Sequence, residues 1–194
     1  YRRLFADGLT PLSAFARIDA GDSACLFESV VGGEKVGRYS FLGSDPFLRF
    51  EAFGTRVRIT QAGSDSVEEF ESADPLAELE RRMAGHQPAR LEELPPFTSG
   101  AVGYAAYDSI RYAERLPHAP LDDLHLPDLS FAFYDRLLVF DNVTKSLDIV
   151  VLAHVNEGPG DDGSPAAATR GYDEACRRID ATIDQLFQIG RAHV

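Results

Sequence analysis

A carboxylate and a hydroxyl stand side by side in an otherwise apolar stretch near the start of the chain. They are Glu28 and Ser29, and they follow a leucine and a phenylalanine. A second polar group, Arg38, Tyr39 and Ser40, begins nine residues after Ser29 and leads into another short apolar run. Charge in an apolar strand is solvated, paired or bound to a ligand, and an acid beside a hydroxyl can hold an ammonium group by charge-assisted hydrogen bonds. The pattern allows an amine-binding site or a solvated strand face, and the second is more common in half-exposed antiparallel strands.

The composition is that of an ordinary globular protein with an excess of acid. The 194 residues are 44% hydrophobic and 26% charged, which is typical of a chain that buries a core. There are 31 acidic and 19 basic residues, a net charge of −12, and the basic residues are scattered. Nucleic acid and anionic membranes would repel such a surface, so we expect a small-molecule or protein partner.

Cysteine use and hydropathy both favour a cytoplasmic protein. The two cysteines, Cys25 and Cys176, are far apart, and neither has the neighbours of a disulfide framework or a zinc site. Lone thiols are typical of a reducing compartment. No apolar run reaches the roughly 18 residues of a membrane span. We therefore expect a cytoplasmic protein that binds neither nucleic acid nor membrane.

The alternation of apolar and polar residues predicts an α+β fold with mostly antiparallel sheets and few, peripheral helices. Strands are predicted over residues 24–31, 36–43, 47–53, 56–61, 98–104, 129–140 and 145–155, with a polar loop over 63–72 and a hairpin turn over 141–144. Asp74 as N-cap, Pro75 in the first turn and Gly85 as the stop predict a helix.

Three further segments are predicted after a domain that spans residues 1–155. Residues 156–169 are rich in Gly, Pro, Asp and Ala and predict a linker, and residues 170–188 begin a helix with apolar positions at helical spacing. Residues 189–194 can be encoded by a common sequencing adapter read in frame, so we interpret them as non-native and exclude them from the fold. We expect the natural protein to continue beyond Gln188.

No motif in the sequence completes an active site. A GxSxG elbow and a GxxxxGK[ST] loop are both missing. Gly100 and Gly103 could line a pocket or let a strand pack closely, and their spacing favours close packing. The histidines share no metal-ligand spacing and are expected on the surface; they are His86, His118, His125, His154 and His193.

Five blocks of the sequence, in order, resemble the N-terminal portion of anthranilate synthase component I. They are residues 26–29, residues 37–43 (Gly-Arg-Tyr-Ser-Phe-Leu-Gly), residues 45–46, residues 97–108 with Arg111, and residues 133–135 (Phe-Tyr-Asp). The resemblance extends from about Leu9 to Val155. Five blocks in order are far more specific than any single block.

The resemblance implies a fold, an activity and a regulatory site. The fold would be part of the larger two-sheet fold of chorismate-utilising enzymes. The family is a lyase of tryptophan biosynthesis that converts chorismate to anthranilate and pyruvate, with Mg²⁺ and with ammonia from a glutamine amidotransferase partner, and tryptophan inhibits it. By position, Glu28 would meet the ammonium group of L-tryptophan and Ser29 would hydrogen-bond the effector. Arg38, Tyr39 and Ser40 would form the adjacent wall.

The family's chorismate and Mg²⁺ residues lie in a C-terminal portion that is not in this sequence. The resemblance therefore implies no catalytic residue and no cofactor here, and this chain alone would be inactive. Phe27 replaces the family's usual leucine, which changes volume but not polarity. Two alternatives stay open: aminodeoxychorismate synthase component I of the folate pathway, and a stand-alone amino-acid-binding or assembly module. A chorismate-binding domain encoded after Gln188 would favour a synthase, and a native stop codon would favour the module.

Overall fold

A computed structural model describes residues 1–18, 23–28, 37–64, 66–86, 88–118, 121–154 and 164–187 of the chain. These residues form two compact units, each built on one five-stranded antiparallel sheet. The first unit comprises Tyr1–Asp45, Arg90–Ser99 and Asp135–Val194, and the second comprises Pro46–Ala89 and Gly100–Tyr134. The predicted α+β class, with antiparallel sheets and few helices, is confirmed.

In chain order the elements are β1 (Arg2–Phe5), α1 (Pro11–Ile18), β2 (Cys25–Phe27), β3 (Tyr39–Gly43), β4 (Leu48–Phe53), β5 (Arg56–Gln61), β6 (Val67–Glu71), α2 (Pro75–Ala84), β7 (Gly100–Ala105), a 3₁₀ helix (Tyr107–Tyr112), β8 (Leu129–Tyr134), β9 (Arg136–Asp141), β10 (Ser146–Val151) and α3 (Pro165–Phe187). Within the described ranges, no helix combines the length and the apolar character needed to cross a membrane.

The first unit packs two helices on one face of its sheet. The strand order is β1-β10-β9-β3-β2, and every pair is antiparallel. Period-two alternation turns Leu42, Leu138 and Ile149 to the same face. There they form a core with Ile18 of α1 and Ile179 of α3. The apolar stripe predicted for the last helix therefore faces this sheet.

The second unit has the strand order β6-β5-β4-β8-β7. The faces predicted for β4 and β5 are confirmed, because their alternate residues are buried: Leu48, Phe50, Ala52, Val57 and Ile59. The predicted helix is also confirmed as α2. Oδ1 of Asp74 accepts a hydrogen bond from the backbone N–H of Ala77 at 3.0 Å, which caps the helix, and Leu79 packs into the same core.

The prediction of one strand over residues 129–140 is wrong. β8 ends at Tyr134 in the sheet of the second unit, and β9 begins at Arg136 in the sheet of the first. Apolar residues keep the same phase on both sides of the break, so periodicity alone does not reveal it. The polar pair Asp135 and Arg136 in the middle of the run marks the break.

The loop predicted over 63–72 is wrong for Val67–Glu71, which is the edge strand β6. Its glutamates look like loop composition, but acidic side chains also suit a strand at the edge of a sheet. The strand predicted over 24–31 is described only as Cys25–Phe27, and residues 29–31 lie outside the described residues.

Regular secondary structure at both ends of the chain extends further than the sequence predicted. Strand β1 and helix α1 were not predicted, and α3 begins at Pro165, inside the predicted linker. The predicted turn at 141–144 is confirmed as the β9–β10 hairpin. The proposed tail over 189–194 lies outside the described residues.

Gly103 is required for close packing, as its spacing predicted. It lies on β7 beside β8, and a Cβ atom there would stand 1.9 Å from the carbonyl oxygen of Ser130 and 2.6 Å from Cα of Phe131. Both contacts are to backbone, which cannot move aside as a flexible side chain can. Gly100, at the start of the same strand, has a φ of +140°, a region that L side chains rarely adopt.

We expect Gly103→Ala to lower the free energy of unfolding by about 2–3 kcal/mol, because β7 must shift away from β8. Urea unfolding measures this. Gly8→Ala is the matched control, since a Cβ at Gly8 has no neighbour within 4 Å. Equal stability of the two variants would contradict the close packing of β7 on β8.

A buried ion cluster fixes helix α3 to the start of β9. Asp135 is 3% exposed, and its two carboxylate oxygens each accept a hydrogen bond from the Arg178 guanidinium at 2.7 Å. Nε2 of His154 lies 2.9 Å from Oδ2 of the same carboxylate. Burial alone would raise the pKa of Asp135, but Arg178 and His154 outweigh it and hold that pKa well below its ordinary value.

We expect Arg178→Ala to lower the free energy of unfolding by about 2–3 kcal/mol, because it leaves a buried carboxylate without its main counter-charge. This is at the low end for buried pairs, since the Arg178 side chain is 30% exposed. The neighbouring Arg177→Ala removes only an exposed pair with Glu174 and should cost less than about 1 kcal/mol. Similar losses from both variants would show that the Asp135 pair contributes no more than a surface pair.

The stability that the Asp135 carboxylate provides should depend on pH. Its pKa is lower in the folded chain than in the unfolded chain, so its contribution is complete above the ordinary aspartate pKa of about 4 and is lost as the pH falls below it. The difference in unfolding free energy between wild type and Asp135→Asn should therefore narrow below about pH 4. A difference that stays constant through this range would contradict the lowered pKa.

Candidate functional site

The predicted amine-binding pair lies at the end of β2. Glu28 directly follows the strand and is exposed, and Ser29 lies outside the described residues. β2 pairs with β3 so that Phe27 faces Phe41, and the same register, continued by one residue, sets Glu28 opposite Ser40. Within the described part of the chain Glu28 forms no ion pair.

Arg38 is held by an acid on the neighbouring strand. Its Nε and Nη2 both donate to Oδ2 of Asp141, at 3.1 and 2.7 Å. Its guanidinium carbon lies 4.9 Å from the centre of the Tyr39 ring, within the range of a cation–π interaction. Burial alone would raise the pKa of Asp141, but the hydrogen bonds from Arg38 and from the backbone N–H groups of Val143 and Thr144 bring that pKa down to about 2. Arg38 is thus already neutralised.

Ser40 lies on the opposite face of β3 from Tyr39, because successive residues of a strand alternate. It is 1% exposed, and its Oγ accepts a hydrogen bond from Nδ2 of Asn142 at 3.3 Å. The same amide nitrogen donates to the carbonyl oxygen of Gly37, also at 3.3 Å. Tyr39 and Ser40 therefore lie on opposite faces of β3, and Ser40 shares its face with the position of Glu28.

A cavity of about 300 Å³ lies on the Tyr39 face of the first unit's sheet. Two arginines and three carboxylates line it: Arg3, Arg38, Glu93, Asp141 and Asp148. Arg3 donates to both oxygens of Asp148, at 2.7 and 2.8 Å. Within the described ranges, the carboxylate of Glu93 has only a long contact, 3.5 Å, from the Tyr1 hydroxyl. The lining thus has one more negative than positive charge, which favours a ligand that carries an amine.

A second cavity, of about 250 Å³, lies beside the start of α1. Its lining includes Leu9, Thr10, Phe140 and Asn142. Asn142 is the donor to Ser40, so this cavity adjoins the face on which Ser40 lies and the register places Glu28. An effector bound at Glu28 would therefore be next to a partly apolar cavity that could take an aromatic ring.

Four of the charged residues that line the first cavity were not predicted from the sequence: Arg3, Glu93, Asp141 and Asp148. Asp148 stands between Leu147 and Ile149 in an apolar strand, which is the same signal that singled out Glu28. Asp148 could therefore have been predicted as a site residue from its charge in an apolar strand. Arg3 had no such signal, because β1 is short and was not predicted.

Two histidines do not have the surface role that the sequence predicted. His86 packs edge-on against Phe47 and Phe133, with ring centres 5.1 and 6.0 Å apart. His154 takes part in the Asp135 cluster. His118 and His125 are exposed as predicted, and His193 lies outside the described residues. Across the described ranges, no group of three His, Cys, Asp or Glu side chains could hold a metal ion.

Comparison with known proteins gives a consistent set of relatives. No protein-family model matches the chain. An anthranilate synthase component 1 of Acetivibrio thermocellus is 40% identical over 153 residues, which are 79% of this chain and 31% of that protein. One of Pseudomonas aeruginosa is 40% identical over 185 residues, 94% of this chain and 35% of that protein. The chain spans about a third of the length of these curated relatives.

A solved structure supports the fold. The crystal structure of anthranilate synthase component I from Streptococcus pneumoniae superposes with a TM-score of 0.58 at 21% sequence identity. The match covers 98% of this chain and 38% of that one. Nearly all of the chain is therefore similar in fold to part of that larger protein.

Proposed function

The chain is a homologue of the anthranilate synthase component I proteins over most of its length, and from this premise we propose that it is the N-terminal, regulatory part of such an enzyme. The observation that supports this most directly is 40% identity over 94% of the chain to a protein almost three times as long. The relatives and the solved structure carry the name anthranilate synthase. This favours the proposal over an aminodeoxychorismate synthase, and the greater length of the relatives favours it over a stand-alone module.

The proposed enzyme makes anthranilate from chorismate in the cytoplasm, with ammonia delivered by a glutamine amidotransferase subunit. The resemblance assigns Mg²⁺ and chorismate to the C-terminal portion of the family, which is not in this sequence. This chain alone should produce no anthranilate, because the reacting groups must be positioned by residues outside it.

The regulatory role that we propose is the binding of L-tryptophan at Glu28 and Ser29. Glu28 is exposed and forms no ion pair with the described part of the chain, so it can meet the effector's ammonium group in a charge-assisted hydrogen bond. Ser40, on the same face, holds Asn142 at the second cavity. Arg38 and Tyr39 line the first cavity on the other face, and Arg38 donates to Asp141 of β9.

Substitution of the two proposed contacts tests this role. Ser29→Ala should weaken tryptophan binding by about 1 kcal/mol, the net value of a neutral hydrogen bond, or roughly 5-fold. Glu28→Ala should cost about 1.5–2 kcal/mol, at the low end for a charged pair because the site is exposed, or roughly 12- to 30-fold. Titration calorimetry of tryptophan on each variant measures both effects.

Glu80→Ala is the matched control, since Glu80 is an exposed glutamate on α2 in the second unit. It should bind tryptophan as the wild type does. Wild-type affinity of Glu28→Ala for tryptophan would mean that Glu28 lies on a solvated strand face. This result would contradict the proposed effector site.

A further inference from the structure

Helix α1 connects two parts of the first unit that are far apart in the chain. Leu9, Thr10 and Pro11, at the start of the helix, line the second cavity. Near the other end of the helix, Arg17 is hydrogen-bonded to Gln185 in the last turn of α3, 168 residues later. The eight residues of α1 rise about 12 Å, so this one helix joins the cavity to the end of α3.

The start of α1 is fixed at the cavity by its own cap. The backbone N–H of Ser13 donates to Oγ1 of Thr10 at 3.1 Å, and the backbone N–H of Thr10 donates to Oγ of Ser13 at 3.0 Å. This reciprocal pair is a capping box, and Pro11 follows it in the first helical position. Ala14 and Ile18 are fully buried in the core of the first unit. The first turn of α1 therefore moves only together with the rest of the helix.

The ends of α1 and α3 cap each other. The last four carbonyls of a helix have no partner within that helix. Nη1 of Arg17 donates to the carbonyl of Leu186 in the last turn of α3, and Nε2 of Gln185 donates to the carbonyl of Arg17 at 2.8 Å. The guanidinium also sets a positive charge at the negative end of the α3 dipole. The two helix ends are thus bonded in both directions, and all of these residues belong to the first unit.

We propose that α1 transmits the binding of the effector, and that Arg17 and Gln185 are the positioning residues that pass it to the last turn of α3. This inference rests on the proposed function, which puts tryptophan at Glu28 beside the second cavity and chorismate in a portion outside this chain. Tryptophan in that cavity contacts the start of α1, so its binding energy can favour one position of the helix. Packed helices shift as rigid bodies by about 1–2 Å, and the end of α3 then moves with α1.

The sheet also joins the Glu28 end of β2 to α3, but this connection is stiffer. Strands β3 and β9 are each hydrogen-bonded to a strand on both sides, so a shift of either one breaks ladder bonds. Within the described ranges, no backbone–backbone hydrogen bond joins α1 to another element. The sheet meets α3 at Arg178, about two turns before the end of the helix. The pair of Arg178 with Asp135 is then the fixed point about which the last turn of α3 moves.

Hydrogen exchange of the wild-type chain is the first test, and it needs no variant. Saturating tryptophan should change the exchange rates of the amides of residues 184–187 by about fivefold or more, the lower end of typical couplings between sites. Calorimetry that detects no tryptophan binding would contradict the proposed function, and this inference with it. Binding that leaves the exchange of residues 184–187 unchanged would overturn this inference alone.

Two substitutions of similar side-chain length remove the connection between the helix ends. Gln185→Met removes the amide donor, and Arg17→Met removes the guanidinium. In the full-length enzyme, the double variant should bind tryptophan within about threefold of the wild-type affinity, because neither residue lines the cavity. Saturating tryptophan should nevertheless inhibit its anthranilate synthesis at least about fivefold less than it inhibits the wild type. A role in stability alone would lower the unfolding temperature and leave the inhibition by bound tryptophan unchanged.

Three further variants sharpen the result. Arg177→Met is the matched control, since Arg177 is an exposed arginine of α3 that pairs with Glu174, and it should keep wild-type inhibition. Arg17→Lys retains a donor and a positive charge at the end of α3, so it should keep most of the inhibition. Arg178→Lys tests the connection through the sheet and should also keep most of it. Full inhibition of the double variant would overturn the proposal, and so would loss of inhibition in Arg178→Lys alone.

Discussion

The ion pair between Asp135 and Arg178 is the constraint on which the first unit depends. Asp135 is the residue at which the chain leaves β8 in one sheet and enters β9 in the other. A carboxylate buried to this extent is stable only with a counter-charge, and that charge comes from α3, 43 residues later in the chain. The position of α3 and the start of β9 are therefore fixed together.

The residue after Asp135 extends this constraint to another of the four points where the chain changes units. Arg136 donates to Ser44 at 2.6 Å, to Asp45, and to Thr182 of α3 at 3.3 Å. Asp45 is the last residue of the first unit before the chain enters the second. Two of the four passages between units thus lie in one cluster of charges. Helix α3 contributes Arg178 and Thr182 to this cluster, one turn apart.

Sequence patterns predicted the structural features that depend on residues close together in the chain. They missed the features that depend on contacts between residues far apart in the chain. The alternation in β4 and β5 and the cap of α2 are local, and the structure has them where the sequence places them. The break at Asp135 depends on Arg178, and the lining of the first cavity depends on Arg3 meeting Asp148, 145 residues away. No local period encodes such pairs. Glu28, which we propose as an effector contact, was singled out because its charge is unusual for its own strand, which is a local signal. Its position opposite Ser40 follows only from the register of β2 and β3.

Period-two alternation also determines which face of β3 each residue of the second polar group, Arg38, Tyr39 and Ser40, occupies. A strand that carries Tyr39 and Ser40 in succession must present them to opposite faces. β3 is hydrogen-bonded to β2 on one side and to β9 on the other, and β9 begins beside Asp135. The Glu28 end of β2 and helix α3 are thus joined by directly bonded groups through β3, β9 and the Asp135–Arg178 pair. Coupling between distant sites is carried by contiguous elements of this kind, so a displacement of β2 has a bonded path to the helix at the end of the described chain.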